Sequence, residues 1–91
     1  MKNIDVNAAV EIYYSTFVIS ARDIRRIYGC GATCAAKLKK HAAQYAIDQG
    51  ITLPSTNEVP TRTAFESWGF DIKDLEERAR KLATLRKRKA N

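Results

Sequence analysis

Basic side chains recur at helical spacing between Thr33 and Lys40, and residues of this type in this pattern can bind a polyanion. Thr33 lies one helical turn before Lys37, and Lys40 follows three residues later, so a helix would present all three side chains close together. Lysine can donate hydrogen bonds to guanine or to phosphate, and threonine can contact a phosphate or a thymine methyl group. With Ala36 on the same surface, these residues predict recognition of duplex DNA.

Further candidate phosphate contacts lie on both sides of this stretch. They comprise Arg22, Arg25, Arg26, Arg62, Arg86, Lys87, Arg88 and Lys89. The net charge of +6 is concentrated in residues 20–45 and 78–91, whereas residues 46–77 are acidic. Neutralisation of phosphates supplies most of the affinity for duplex DNA. We therefore expect the three arginines before Gly29 to hold phosphates and the C-terminal tail to add affinity with little specificity.

Two helices joined by a tight turn must position these side chains. Ser20 can cap the first helix with Asp23 in its first turn, and Gly29 is expected to end it. The second helix is expected to begin near Ala32 and to end at Gly50. The apolar residues predicted to face the core are Ile24, Ile27 and Tyr28 in the first helix and Ala35, Leu38, Ala42 and Tyr45 in the second. A short helix, a glycine turn and a basic second helix are typical of a helix-turn-helix.

The segments around this unit are predicted to cover it. Residues 7–17 favour a first helix capped by Asp5 or Asn7, although the β-branched and aromatic content of residues 13–19 also allows an extended chain. Residues 51–53 and 58–59 flank turn-forming residues and predict a small hairpin in the position of a wing. That hairpin contains no lysine or arginine, so a structural hairpin and one that contacts DNA both remain open.

Two more helices are expected after the hairpin. Pro60 suits a helix start, with Thr61 or Thr63 as a local cap and Gly69 as the end. Phe65 and Trp68 are interpreted as core residues, with a functional aromatic surface as the alternative. A last helix is predicted from Asp71 onward, acidic at its start and basic at its end, with an apolar seam at Ile72, Leu75, Ala79 and Leu82.

The expected fold class is mostly α, a helix-turn-helix with a small β-hairpin wing and a C-terminal basic helix. The expected organisation is a winged helix-turn-helix DNA-binding domain over residues 1–70 and a C-terminal basic helix or tail over residues 71–91.

Several other functions are disfavoured by the composition. Cys30, Cys34 and His41 lack an evident fourth ligand, and their spacing fits no usual zinc finger. We therefore interpret the two cysteines as small buried hydrophobes and expect no metal. No catalytic constellation and no phosphate-cradling glycine motif is visible, so neither an enzyme nor a cofactor is expected. No apolar run approaches a membrane span, and no secretory signal is evident. A cytoplasmic protein without membrane contact is the prediction.

A family resemblance is visible in residues 20–70. Its matching positions are Asp23, Ile24, Ile27, Tyr28, Gly29, Cys30, Ala35, Leu38, Val59, Pro60, Phe65 and Trp68. In this pattern the chain resembles the small helix-turn-helix proteins of bacteriophages and integrative elements, near the excisionase and MerR-like winged-helix group. Gly31 departs from it, standing where a capping serine is usual. The resemblance implies transcriptional regulation or architectural help to an integrase in a bacterial host, with dimeric or tandem binding on repeated DNA sites.

A second class of function competes with DNA binding. The chain offers few long base-reading side chains, and its middle segment is acidic with Glu66 and Phe70 as candidate surface residues. These features fit a protein-interaction module, for instance a phage-encoded inhibitor or adaptor that grips a host protein. RNA binding through the basic tail is a third alternative, but the sequence indicates no exposed aromatic platform for it.

Overall fold

A computed structural model shows a mostly helical chain with one small antiparallel sheet. It describes residues 4–55 and 58–90, without the side chains of residues 86–90. The elements in this part of the chain are α1 (Val6–Ser15), β1 (Val18–Ile19), α2 (Ala21–Tyr28), α3 (Ala32–Asp48), β2 (Val59–Pro60), α4 (Thr61–Ser67) and α5 (Ile72–Ala90). No helix within the described residues is long and apolar enough to cross a membrane.

The predicted boundaries of α2 and α3 are confirmed, because local capping chemistry sets them, and the predicted Asp5 cap of α1 is confirmed as well. Helix α1 ends at Ser15, two residues before the predicted end at residue 17, because Thr16 is already extended and the chain enters β1. Asp5 caps α1 by accepting from the Ala8 N–H at 3.0 Å. Ser20 and Asp23 form a reciprocal capping box at the start of α2. At the end of α3, Gly50 has φ +74°, and the amides of Gly50 and Ile51 donate to the carbonyls of Ile47 and Ala46. This is the Schellman arrangement that glycine favours.

The turn between α2 and α3 rests on a left-handed glycine. Gly29 has φ +62°, and its N–H donates to the Arg25 carbonyl at 2.8 Å. Gly31 precedes α3 in an extended conformation and supplies no side-chain cap. The end of α2 is also tied to the start of α1, since the Asp5 N–H donates to the Ile27 carbonyl at 2.7 Å.

The strand pairing differs from the predicted hairpin. The sheet joins β1 to β2, with Val18 opposite Pro60 and Ile19 opposite Val59. Residues 51–53 form no strand, and the pairing seen among the described residues of the predicted wing is an isolated antiparallel bridge between Ser55 and Glu58. The hairpin pairing was therefore wrong. Pairing β1 with β2 buries both Ile19 and Val59, whereas a local hairpin offers residues 51–53 no comparable burial.

The predicted threonine cap of α4 was also wrong. Pro60 occupies the N-cap position without a side-chain hydrogen bond, and Thr61 and Thr63 are both buried. The Thr61 hydroxyl has no hydrogen-bond partner among the described residues, while its backbone N–H donates to the Phe17 carbonyl at 2.9 Å. The backbone of this junction is thus held by the strand pairing rather than by a cap.

The core lies where α1, α2, α3 and α4 meet, and the first half of α5 packs on α1. Its buried members include Ile12, Ile19, Ile24, Ile27, Val59, Phe65 and Leu75. The predicted seam of α5 is buried at Leu75, whereas Leu82 and Leu85 farther along are exposed. Burial of α5 therefore ends before its basic C-terminal part.

Two glycine substitutions test the turn. Gly31→Ser places a side chain where no atom lies within 4 Å and supplies the N-cap that α3 lacks. We expect it to raise the free energy of unfolding by roughly 0.5 to 1 kcal/mol. The same change at Gly29 meets no clash but forces serine into a left-handed backbone, so it should lower that free energy by roughly 1 kcal/mol. Urea unfolding measures both, and equal effects of the two variants would contradict this description.

Candidate nucleic-acid interface

The predicted contact residues of α3 share one exposed surface, which we call the α3 outer face: Thr33, Ala36, Lys37 and Lys40. All four are exposed, because Ala35, Ala42 and Ala46 turn the other side of the helix into the core. Ala46 was missing from the predicted buried stripe, and Leu38 and Tyr45 are half-buried rather than buried. Small alanines at the contact allow α3 to lie close to its neighbours, and the longer polar side chains point outward.

The three arginines of α2 are exposed on the side opposite Ile24 and Ile27. Arg26 differs from the other two because its Nη2 lies 3.5 Å from the Glu11 carboxylate of α1. Both side chains are largely exposed, so the pair is weak and can open. Arg22 and Arg25 are therefore the cations of this helix with no carboxylate partner among the described residues.

The remaining predicted contacts are not gathered with the α3 outer face. Arg62 stands at the start of α4, where it lines a cavity with Tyr13 and Tyr14. The tail residues Arg86, Lys87, Arg88 and Lys89 have side chains outside the described part of the structure. Helix α5 does continue through their backbone to Ala90.

A concave surface that we call the α3–α4 groove borders the α3 outer face. It is a cavity of about 860 Å³ lined by Tyr28, Thr33, Lys37, His41, Ser67 and Trp68, among others. Trp68 is fixed in its wall, since the indole N–H donates to the Leu38 carbonyl at 3.3 Å. Its ring also meets that of Tyr28 edge to face, with centroids 5.5 Å apart.

The sequence reasoning did not include His41 in the interface. Thr33, Lys37 and His41 follow one another at intervals of four residues, and that spacing alone places them along one side of a helix. Trp68 was predicted as a core residue, with a functional aromatic surface as the alternative, because large aromatic side chains are usually buried. Trp68 is half-buried, so it belongs both to the core cluster and to the wall of the groove.

The two cysteines differ from their predicted role. Cys30 is half-buried and packs against the core, whereas Cys34 is exposed. The prediction that both are buried was wrong for Cys34, because position 34 lies on the outward side of the first turn of α3. Within the described residues, no group of three or more His, Cys, Asp or Glu side chains could hold a metal ion.

A second surface feature, the Tyr14–Phe17 patch, lies at the end of α1. Phe17 is 79% exposed and Tyr14 is 66% exposed, and both line a cavity of about 480 Å³ with Pro60 and Arg62. The Tyr14 hydroxyl donates to the Glu76 carboxylate of α5, and this hydrogen bond raises the pKa of Tyr14. The patch therefore presents two exposed aromatic rings with Arg62 in the cavity lining and the Glu76 carboxylate on Tyr14, and it is separate from the groove.

Comparisons with protein-family models, with curated proteins and with solved structures find no match to this chain.

The partly buried phenol of Tyr28 is expected to make the free energy of unfolding vary with pH in the alkaline range. Burial raises the pKa of Tyr28 from 10.0 to about 12, with smaller contributions from Cys30 and Cys34. Because the folded state favours the neutral phenol, its stabilising contribution is complete below about pH 10 and is lost as the pH rises through about 12. The unfolding free energy of the wild type should therefore fall relative to that of Tyr28→Phe across this window. Denaturant unfolding at several pH values measures the difference, and a constant difference would contradict the burial.

Proposed function

We propose that this protein binds double-stranded DNA through α2, the Gly29–Gly31 turn and α3, used as a helix-turn-helix. The exposed α3 outer face is the observation that carries the proposal. Thr33, Lys37 and Lys40 would enter the major groove, where the first turns of a recognition helix contact base edges. All three side chains are exposed among the described residues, which is the minimum condition for such a role.

The surroundings of α3 support the same function. The exposed arginines of α2 would hold phosphates beside the recognition helix, as the first helix of such a unit crosses the backbone. The tail of α5 would add affinity through its charge. The Ser55–Glu58 bridge lies at the predicted wing, but residues 51–60 contain no lysine or arginine. A wing at this position would therefore add little phosphate neutralisation.

The biological role follows from the resemblance of residues 20–70 to small phage and mobile-element proteins. We propose a transcriptional regulator or an excisionase-like architectural factor that acts in the cytoplasm of a bacterial host. Binding as a dimer or in tandem on DNA repeats, and contact with an integrase, would belong to such a role. Selection of bound sequences from random duplexes would identify a preferred site.

Removing two lysines tests the assignment of α3. Lys37→Ala with Lys40→Ala removes two cations from exposed positions, so we expect binding to a short duplex to weaken roughly tenfold or more near physiological salt. The slope of log affinity against log salt should fall by about two. Fluorescence anisotropy at several salt concentrations measures both quantities.

A matched control is available on α5. Lys73 and Lys81 are also exposed, Lys81 in a weak exposed ion pair with Glu77 at 3.6 Å, and replacing both with alanine removes the same formal charge away from α3. This control should bind nearly as the wild type does. Equal losses in the two double variants would show that net charge alone, and not the α3 outer face, determines binding.

The Tyr14–Phe17 patch favours a second candidate function, docking of a host or phage protein. The Phe17 side chain is 79% exposed, and its backbone carbonyl accepts a hydrogen bond from the Thr61 N–H at 2.9 Å, so an apolar ring stands in solvent on an anchored backbone. Exposed aromatic rings are enriched at protein interfaces.

Phe17→Ser separates the two functions. The side chain is solvent-exposed, so we expect little change in stability or in duplex affinity. If a protein partner is the target, its complex should weaken by roughly tenfold or more, as for an aromatic hot spot. Duplex affinity that falls with Phe17→Ser but stays constant with the lysine variants would contradict both assignments.

A further inference from the structure

His41 belongs to a surface whose chemistry suits an anion. It stands one helical turn after Lys37 on α3, and both side chains line the α3–α4 groove. Side chains four residues apart on a helix lie about 6 Å from each other at their Cβ atoms. The two groups can therefore contact the same extended anion at neighbouring points.

The polar groups of the groove are unequally available. The Ser67 hydroxyl donates to the Ala64 carbonyl at 2.7 Å, and the Trp68 indole N–H donates to Leu38. Thr33, Lys37 and His41 have no such hydrogen bond within the described part of the chain, and all three are exposed. The donors that remain for a ligand thus belong to one side of α3.

The lining also lacks negative charge. No aspartate or glutamate lines the α3–α4 groove, whereas Glu66 and Asp71 line the cavity at the other side of Phe65. Tyr28 and Trp68, both half-buried, form an aromatic wall on one side of the groove. An anion would gain Lys37 as a partner and meet no carboxylate.

We propose that the α3–α4 groove holds the phosphodiester backbone of one DNA strand at the edge of the major groove, with protonated His41 contacting its phosphate oxygens. Lys37, the major-groove residue one turn before His41, adds its positive charge beside that strand. This inference rests on the proposed function, because it requires α3 to lie in the adjacent major groove. It adds His41 to the interface and makes DNA affinity depend on protonation of that side chain. The indole of Trp68 is a positioning group that shapes the wall of the groove.

Any histidine signal followed over a pH series belongs to His41, because it is the only histidine in the chain. Histidine is the side-chain type whose charge changes between about pH 5 and 8. The titratable and charged groups around His41 are Cys34, Lys37, Lys40 and Tyr45 on α3 and Tyr28 on α2, and the end of α4 contributes the uncharged Ser67 and Trp68. Since no carboxylate lines the groove, a bound phosphate would be the group that favours the imidazolium.

Three proteins test the inference: the wild type, His41→Gln and His41→Lys. We expect the affinity of the wild type for a short random-sequence duplex to rise about fivefold as the pH falls through the histidine range near physiological salt, with a salt slope steeper by about one. His41→Gln should bind as the wild type does at high pH, and His41→Lys as it does at low pH. Neither variant should show the pH dependence. Urea unfolding checks that all three are equally folded.

A second measurement reports on the imidazole itself. The His41 ring protons, followed by NMR over the same pH range, should titrate at higher pH when duplex is bound than in the free protein. An unchanged midpoint would overturn the inference. So would equal pH dependence of duplex binding in the wild type and His41→Gln, and in that case DNA binding through α3 stands. If none of the three proteins bound the duplex at any pH or salt concentration, the proposed function would be overturned instead.

Discussion

The packing of one aromatic cluster holds together the elements on which the interface depends. Phe65, Trp68 and Phe70 contact one another with ring centroids between 5.4 and 6.1 Å apart, and Tyr28 contacts Trp68 and Phe70. The cluster joins the end of α2 to α4 and to the residues that lead into α5. A chain of 91 residues buries a modest core, and each large ring supplies a substantial part of it.

This cluster also influences which charged side chains of α3 remain exposed. Aromatic rings fill the space between α2 and α4, while α3 approaches the core with alanines at positions 35, 42 and 46. Lys37 and Lys40 on the opposite side of the helix remain exposed, and Lys39 is half-buried. The same rings form the wall of the α3–α4 groove, so the residues that stabilise the fold also shape the surface beside the basic face. Substitution of Trp68 would change both properties at once.

The features that could be predicted from the sequence depend on neighbouring residues. The Ser20–Asp23 capping box, the Gly29 turn and the Gly50 terminator are local, and the apolar spacing of Ile24 and Ile27 identifies the buried side of α2. The pairing of β1 with β2 is long-range, and two-residue strands carry too little pattern to indicate a partner. Arg62 lines a different cavity from Lys37, and His41 and Trp68 line the same groove. Both arrangements depend on how α4 packs. Neither leaves a signal in the local sequence.

The Tyr14–Phe17 patch and the α3–α4 groove lie at opposite ends of α4. Thr61 and Arg62 at its start line the cavity of the Tyr14–Phe17 patch, and Ser67 with the adjoining Trp68 lines the α3–α4 groove. The two cavities share no lining residue, so a ligand in one does not exclude a ligand in the other by direct overlap. The two proposed contacts would also respond differently to salt, since affinity for a DNA strand in the groove would fall with salt through counterion release while docking on exposed aromatic rings would depend on buried area. The two proposed contacts, of DNA at the groove and of a protein at the patch, therefore use different side chains and can be tested by separate substitutions.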